Sequence, residues 1–296
     1  MRYVFKTRVL TSPAVLLTLL VFTPLLFAQS PVIEPCPATP APRITGTSVP
    51  AINAAKASEI VVDSSIPDDP DLEKIISPYR KKLMTLSVVI GTLNDELSKS
   101  SIGAGTLGNF VTDAMLAEAR KRTGKAITFA VLNAGGLRKN HIAPGQLRGS
   151  DIFELLPFEN QLLTLDLTGE QLLKLSQFGT RDAQSGARMQ YKWNDQNRTQ
   201  IVSTKLIDPG GREQEIEPNA TYTIVTIDYL YKLQSGNYAL LQEGTHVRPL
   251  NVTIREAVMD YVKSETAAGR PIRATVDDRF VQIGPGPANP EVRPND

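Results

Sequence analysis

The stretch at residues 133–138, Asn-Ala-Gly-Gly-Leu-Arg, carries the residue types in this chain that are best suited to ligand chemistry. A short apolar run precedes it and predicts a buried strand that delivers the stretch to one place. Because glycine lacks a Cβ atom, Gly135 and Gly136 can take positive φ and let a ligand approach the main chain. Asn133 offers donors and an acceptor, and Arg138 offers a rigid fork of donors. These residue types suit a sugar, a base or a phosphate, whereas the glycine pair alone is more typical of an ordinary turn.

The rest of the sequence lacks the common catalytic patterns. It contains no G-x-S-x-G, S-x-x-K, H-E-x-x-H or P-loop motif. Two-metal hydrolysis needs a dense set of Asp, Asn and His ligands, but the two histidines, His141 and His246, are isolated and predict solvent-facing loops. The acid pairs Asp68-Asp69 and Asp277-Asp278 indicate solvated charge on turns. We therefore predict no catalytic residue, no metal site and no cofactor.

Composition limits the class of partner. The chain has 296 residues and a formal net charge of +1, so its central part fits one domain of ordinary size. A nucleic-acid-binding surface would need a basic stripe to neutralise phosphates. The basic clusters at residues 80–82 and 120–122 instead suggest the flanks of helices. We expect no nucleic acid partner.

The N-terminus is typical of a secretory signal. Three basic residues, Arg2, Lys6 and Arg8, precede the apolar stretch at residues 14–27, which predicts a signal peptide at residues 1–28, cleaved after Ala28. An uncleaved anchor is the alternative, but the run is shorter than the roughly 20 residues that span a membrane. We expect an exported protein, periplasmic or extracellular, with no stable membrane span after cleavage.

The high proline and alanine content of residues 29–66 predicts a linker. The lone cysteine, Cys36, lies in this linker and has no second cysteine to pair with, so we expect a fold without a disulfide. Residues 67–283 are the predicted domain, and residues 284–296 a disordered tail. Within the domain, periodicity predicts a helix over residues 71–86 broken once by Pro78, a strand at 88–90, and a helix that Thr106 caps and Gly124 ends. Further predicted strands cover residues 161–167, 199–207 and 221–227, and further helices cover 169–177 and 253–267.

This order of helices and strands predicts an α/β fold, a mixed α+β sandwich, with the ligand loops gathered at one edge of the sheet. Asn109 and Asp113 lie four residues apart on the helix after Thr106 and so face the same way. They could orient the loop at residues 133–138, or they could have an ordinary surface or capping role.

Several motifs occur in a fixed order along the domain. Residues 106–115 read TLGNFVTDAM, residues 133–138 read NAGGLR, residues 156–160 read LPFEN and residues 167–170 read LTGE. The series resembles the C-terminal domain of the 5′-nucleotidase family, whose members read LGNLxxDAM, NxGGIR, PFxN and LTG in that order. The resemblance extends over most of residues 70–280.

The resemblance implies a division of labour and a set of ligand residues. In full-length members, a separate N-terminal metallophosphatase domain hydrolyses the substrate, while the C-terminal domain binds its nucleoside part. The family's loop asparagine and arginine fall on Asn133 and Arg138, and one stacking aromatic falls on Tyr229. An upstream arginine falls near Gly103 and the second stacking aromatic falls on Arg188, so both contacts would be lost.

The family's ribose-binding aspartate has Asn237 as its nearest polar substitute, so the expected site comprises Asn133, Gly135, Gly136, Arg138, Tyr229 and Asn237. We expect an exported domain that recognises a nucleotide, or a related phosphorylated small molecule, for nucleotide catabolism, with hydrolysis by a separately encoded metallophosphatase. One alternative is a degenerate scaffold or interaction module of the cell envelope, and another is a self-sufficient hydrolase. Polar groups beside Tyr229 would favour binding, whereas a cleft blocked by Arg188 would favour the scaffold.

Overall fold

The computed structural model describes residue 63 and residues 65–177, 180–234, 236–273 and 276–287. The predicted signal peptide, most of the predicted linker and Cys36 lie outside these residues. The domain boundaries at residues 67 and 283 therefore stay predictions. Within the part that is described, no helix combines the length and the apolar character needed to cross a membrane.

Helices and strands are mixed along the described chain, which confirms the predicted α/β fold. The helices are α1 (Pro70–Leu86), α2 (Gly105–Thr123), α3 (Gly149–Leu155), α4 (Gly169–Ser176), α5 (Asp228–Lys232) and α6 (Ile254–Ala267). The strands are β1 (Val89–Leu93), β2 (Leu97–Ser98), β3 (Phe129–Leu132), β4 (His141–Ile142), β5 (Gly145–Arg148), β6 (Gln161–Thr168), β7 (Ala183–Ser185), β8 (Ala187–Trp193), β9 (Thr199–Ile207), β10 (Glu213–Gln214), β11 (Thr221–Ile227), β12 (Thr245–Thr253) and β13 (Phe280–Gln282). Two 3₁₀ helices cover Ala134–Gly136 and Gly236–Glu243.

The central sheet has five strands in the order β12-β6-β11-β3-β7. Strand β11 pairs in parallel with β3 and antiparallel with β6, so β3 and β11 end at the edge where β6 begins. Helix α2 contacts β3, β7 and β11, and α4 contacts β6 and β11. Residues 162–165 of β6 are all buried, because both faces of this strand are covered. A second sheet has the order β10-β9-β8-β13, and β1-β5 and β2-β4 form two-stranded pairs.

The start of α2 differs from the prediction. Residues 103–105 all have left-handed φ, between 56° and 63°, and they turn the chain into the helix, so that Ala104 rather than Thr106 occupies the cap position. Thr106 lies inside the helix, where its hydroxyl accepts the Ser98 N–H at 2.7 Å and so cannot cap. Gly124 ends the helix in the left-handed conformation, as predicted.

Helix α1 continues through Pro78 without a break. Asp69 is exposed, as expected, but its carboxylate also caps α1 by accepting the N–H groups of Asp71 and Leu72 at 2.8 and 3.2 Å. The paired acid is therefore part of a helix start rather than a plain turn.

Asp113 does not orient the loop at residues 133–138. Its carboxylate instead accepts the Ser185 hydroxyl at 2.6 Å and pairs with the guanidinium of Arg279 at 3.1 Å, which ties α2 to β7 and to the chain before β13. Asp277 also pairs with Arg279, at 2.7 Å. Burial opposes ionisation of Asp277, but Arg279 holds the pKa of this carboxyl below its usual value. Asn109 is buried and lines a cavity beside Arg279 that includes no residue of the loop at residues 133–138.

Two motif glycines are required by close packing. A Cβ atom at Gly108, in the Leu-Gly-Asn motif, would lie 2.1 Å from the carbonyl oxygen of Gly103. A Cβ atom at Gly169, in the Leu-Thr-Gly motif, would lie 2.0 Å from the carbonyl oxygen of Glu217. Both distances are far inside van der Waals contact, so these motifs have a role in the fold that is independent of any ligand.

Candidate functional site

A cavity of about 340 Å³ opens at the edge of the central sheet where β3 and β11 end and β6 begins. We call it the Asn133 cavity, and its lining residues are Asn133, Gly135, Gly136, Arg138, Phe158, Asn160 and Tyr229. The carboxyl ends of parallel strands meet at the same sheet edge, which is why the segments after β3 and β11 converge. The structure therefore brings together all of the predicted site residues except Asn237.

The glycine pair leaves space for the amide of Asn133. Residues 134–136 form a 3₁₀ turn in which neither Gly135 nor Gly136 has positive φ, contrary to our expectation. A Cβ atom at Gly135 would lie 3.3 Å from Asn133 Nδ2, and one at Gly136 would lie 3.4 Å from Asn133 Oδ1. The backbone N–H of Arg138 donates to the carbonyl of Leu155 at 2.9 Å and fixes the end of the loop.

The amide oxygen of Asn133 is available to a ligand. Oδ1 is buried and has no hydrogen-bond partner among the described residues. Leaving a buried acceptor without a donor costs about 1–3 kcal/mol. A ligand N–H or O–H group in the Asn133 cavity would remove that cost, so the loop favours an occupant with a donor at this point.

Two cations lie beside the loop. Arg138 donates from Nη1 to the carbonyl of Gly135 at 3.3 Å, and its guanidinium carbon lies 5.7 Å from the centre of the Phe158 ring. The Lys99 ammonium donates to the carbonyl of Leu137 at 2.9 Å. Partial burial, followed by the charge of Arg138, lowers the pKa of Lys99. The nearby positive charges favour an anionic group on the ligand.

Two aromatic side chains contribute open surface to the Asn133 cavity. Phe158 is 46% exposed and Tyr229 is 50% exposed. Arg188, on which the resemblance placed the second aromatic contact, lies in β8, pairs with Glu213 and Asp278, and does not line this cavity. The expectation that a second aromatic surface is lost was therefore wrong, because Phe158 supplies one. Its sequence signal was the Leu-Pro-Phe-Glu-Asn motif directly before β6.

A buried arginine holds the loop that carries Phe158. Arg255 of α6 is only 5% exposed, and it donates to the carbonyls of Leu156 and Pro157 at 3.5 Å. It also pairs with Glu159, and its guanidinium carbon lies 4.1 Å from the centre of the Phe153 ring. Helix α6 thus fixes the loop at the mouth of the Asn133 cavity.

Asp228 holds the segment that carries Tyr229. Its carboxylate accepts the backbone N–H of Gln161 at 2.9 Å and the ammonium of Lys232 at 2.6 Å. Burial opposes its ionisation, but the bonds from Lys232 and Gln161 hold the pKa of Asp228 below its usual value. The start of α5 is therefore tied to the start of β6.

Asn237 does not reach the Asn133 cavity, because the 3₁₀ helix at Gly236–Glu243 leaves its side chain exposed. The next residue, Tyr238, instead donates its hydroxyl to the carboxylate of Asp182, which also accepts the N–H of Ala134. Burial raises the pKa of Asp182, although both bonds act in the opposite direction. Burial, followed by the Asp182 charge, raises the pKa of Tyr238. Tyr238 and Asp182 therefore stabilise the loop at residues 133–138 without lining the Asn133 cavity.

The two histidines are exposed, as expected, but they lie in strands β4 and β12 rather than in loops. His246 also pairs with Asp166 at 3.1 Å, which the sequence did not suggest. Across the described ranges, no three His, Cys, Asp or Glu side chains gather closely enough to hold a metal ion.

Residues 89–243, just over half of the chain, match the family model described as 5′-nucleotidase, C-terminal domain. The chain belongs to this family. This 5′-nucleotidase C-terminal domain is 26% identical over 186 residues to the trifunctional nucleotide phosphoesterase protein YfkN of Bacillus subtilis, a match that covers 60% of the chain and 12% of the relative. It is 28% identical over 225 residues to the endonuclease YhcR of the same organism, a match that covers 71% of the chain and 17% of that relative.

Among solved structures, the 5′-nucleotidase precursor from Thermus thermophilus matches with a TM-score of 0.59 and 23% identity, over 74% of this chain and 44% of that one. At this identity, the likeness shows the fold alone. The chain spans less than half the length of each of these relatives.

Proposed function

We propose that this 5′-nucleotidase C-terminal domain recognises a nucleotide, or a related phosphorylated small molecule, in the Asn133 cavity. One observation carries the proposal. Two half-exposed aromatic rings, an arginine and a buried amide oxygen that has no partner among the described residues line the same cavity, although they come from three separate segments. Aromatic faces bind planar rings, the amide accepts from a donor, and the guanidinium binds an anion.

Each side chain has a proposed role. Phe158 and Tyr229 bind the faces of the base by stacking. Asn133 Oδ1 accepts an N–H or O–H group of the nucleoside, and Arg138, with Lys99 nearby, binds the anionic part. Asp182, Asp228 and Arg255 act through these residues and do not touch the ligand.

We further propose that the protein is exported to the periplasm or the extracellular space, and that a separately encoded metallophosphatase hydrolyses the ligand it recognises. The N-terminal pattern supports export. The name of the nucleotide phosphoesterase relative supports a role in nucleotide catabolism. No catalytic role is assigned to a residue of this chain.

The competing function is a scaffold or interaction module that has lost ligand binding. The packing of Gly108 and Gly169 favours it, because the fold needs these motif glycines whether or not a ligand binds. A scaffold role does not explain why Asn133 Oδ1 has no partner in the described part of the chain and lies beside two open aromatic faces.

Calorimetric titration of residues 29–296 with AMP, adenosine and UDP-glucose, at low salt and without metal, tests the proposal. We expect saturable binding that Asn133→Ala and Arg138→Ala each weaken about tenfold, because each removes a hydrogen bond or charged contact. Arg273→Ala is the matched control, since Arg273 is exposed and lies outside the Asn133 cavity. Flat titrations up to millimolar ligand would favour the scaffold.

A further inference from the structure

A second cavity, of about 350 Å³, lies at the end of the central sheet away from the Asn133 cavity. We call it the His246 cavity, and its lining residues are Thr123, Lys125, Thr164, Asp166, Thr223, His246 and Arg248. Strand β6 begins at the Asn133 cavity and has Asp166 near its other end, opposite Thr223 near the start of β11. The proposed nucleotide recognition uses none of these residues.

A β-bulge in β12 shapes the His246 cavity. Thr245 lies opposite Asp166 and Arg248 lies opposite Thr164, so β12 has one residue more than β6 over this interval. Without the extra residue, Arg248 and Thr164 would point to different faces of the sheet, because side chains alternate along a strand. The bulge places both side chains on the same face. His246, at the bulge, has a φ of 50°, which is uncommon for a residue other than glycine.

The imidazole of His246 contacts the carboxylate of Asp166 and the hydroxyl of Thr245. Its Nδ1 lies 3.1 Å from Asp166 Oδ2, while the Thr223 hydroxyl donates to Asp166 Oδ1 at 2.6 Å. Both oxygens of the carboxylate are therefore engaged within the protein. The ring nitrogen Nε2 lies on the far side of the imidazole from Asp166, and in the protonated ring it is a free donor.

Two cations of the His246 cavity are unpaired. The ammonium of Lys125 and the guanidinium of Arg248 have no ion pair or hydrogen bond with any residue in the described part of the chain. By contrast, Lys121 and Arg122, in the last turn of α2 just before Lys125, pair with Glu118 and Asp260. Lys125 and Arg248 contribute two positive charges against the one negative charge of Asp166, so the net charge that faces a ligand is positive.

We propose that the His246 cavity binds the phosphate group of a small molecule. The fork of Arg248 suits two phosphate oxygens, and Lys125 adds a point charge. The Thr164 hydroxyl and, in the protonated ring, His246 Nε2 supply further donors. A volume of about 350 Å³ is within the range of small-ligand pockets and leaves room for an attached organic part. The proposal does not depend on nucleotide recognition in the Asn133 cavity.

The test is a titration of the full chain with inorganic phosphate and with glycerol 2-phosphate at low salt, followed by calorimetry and by NMR shifts. We expect shifts at Thr223 and His246, and binding that Lys125→Gln/Arg248→Gln weakens at least about tenfold, because two charged contacts are lost. Tighter binding of glycerol 2-phosphate would identify a phosphomonoester as the ligand, and equal or weaker binding would identify free phosphate.

The matched control is Lys192→Gln/Arg273→Gln, which removes the same charge from exposed positions outside the His246 cavity. We expect it to change the phosphate affinity measured from the shifts at Thr223 and His246 less than twofold. Equal weakening by both double variants would show general charge attraction and overturn the proposal. The absence of shifts at His246 up to millimolar phosphate would also overturn it.

Discussion

Replacing Phe158 by alanine tests most directly whether the Asn133 cavity binds a planar ring. The residue lies in a loop that Arg255 holds through backbone carbonyls, so the loop keeps its support when the ring is removed. The ring is 46% exposed in the free domain, and its truncation therefore leaves no large cavity in the core. We expect the Phe158→Ala protein to fold and to lose ligand affinity.

The size of the loss follows from the exposed area. A phenylalanine side chain has an area of about 200 Å², so 46% exposure leaves about 90 Å² open, and a stacked base covers about half of that. At about 25 cal/mol per Å² this burial contributes about 1 kcal/mol. The aromatic pair adds about 0.5–1.5 kcal/mol beyond area. The sum, about 1.5–2.5 kcal/mol, corresponds to about 10- to 70-fold in the dissociation constant.

The assay is calorimetric titration with AMP, using Tyr79→Ala as the control. Tyr79 is 63% exposed on α1 and does not line the Asn133 cavity, so its removal should leave the affinity unchanged. Phe158→Leu should fall between the parent and Phe158→Ala, because leucine restores apolar area without a π face. A less than twofold effect of Phe158→Ala on a folded protein that binds AMP would refute the stacking role.

Three further results are expected. Arg255→Met should lower the free energy of unfolding in urea by about 1–3 kcal/mol, because loop carbonyls lose their donor, and should also weaken AMP binding. Gly169→Ala should cost about 1–3 kcal/mol in the same assay through contact with Glu217, while the folded protein keeps its affinity. Because Arg279 lowers the folded-state pKa of Asp277 below 3.8, ionised Asp277 stabilises the fold above that pH and the contribution disappears as pH falls through the folded pKa. Asp277→Asn should therefore lower the melting temperature at pH 7, and the difference from the parent should shrink as the pH falls below 3.8.

Much of the fold could be predicted, because its signals are local. The strand at residues 199–207 has the predicted bounds, and those at 161–167 and 221–227 differ by at most one residue. Alternating or continuous apolar residues between breakers set these limits. The start of α2 was predicted wrongly, because three consecutive left-handed residues, including Ala104, replace the usual extended cap. A left-handed alanine leaves no signal in the sequence.

The candidate site depends on contacts between distant residues, and here the sequence was less informative. Phe158 was visible within a motif, but its place in the Asn133 cavity depends on Arg255, almost a hundred residues later. Asn237 and Tyr238 are neighbours, and only the path of the 3₁₀ helix decides that the tyrosine faces inward. A motif alignment alone cannot tell which of the two neighbouring side chains faces inward.

The glycines of this chain separate what the fold requires from what a ligand would require. An added Cβ atom at Gly108 or Gly169 would force a neighbouring backbone carbonyl to shift, so even a scaffold without a ligand is more stable with glycine there. Gly135 and Gly136 have no positive φ, and the atom nearest to an added Cβ at each position belongs to the Asn133 amide. Leu132 Cδ1 would lie at an ordinary 3.8 Å from a Cβ atom at Gly136. The fold would therefore accept a small side chain at either position, but that side chain would crowd the Asn133 amide. An amide whose oxygen is buried, unpartnered among the described residues and kept clear by two dispensable glycines is explained better by a ligand than by packing.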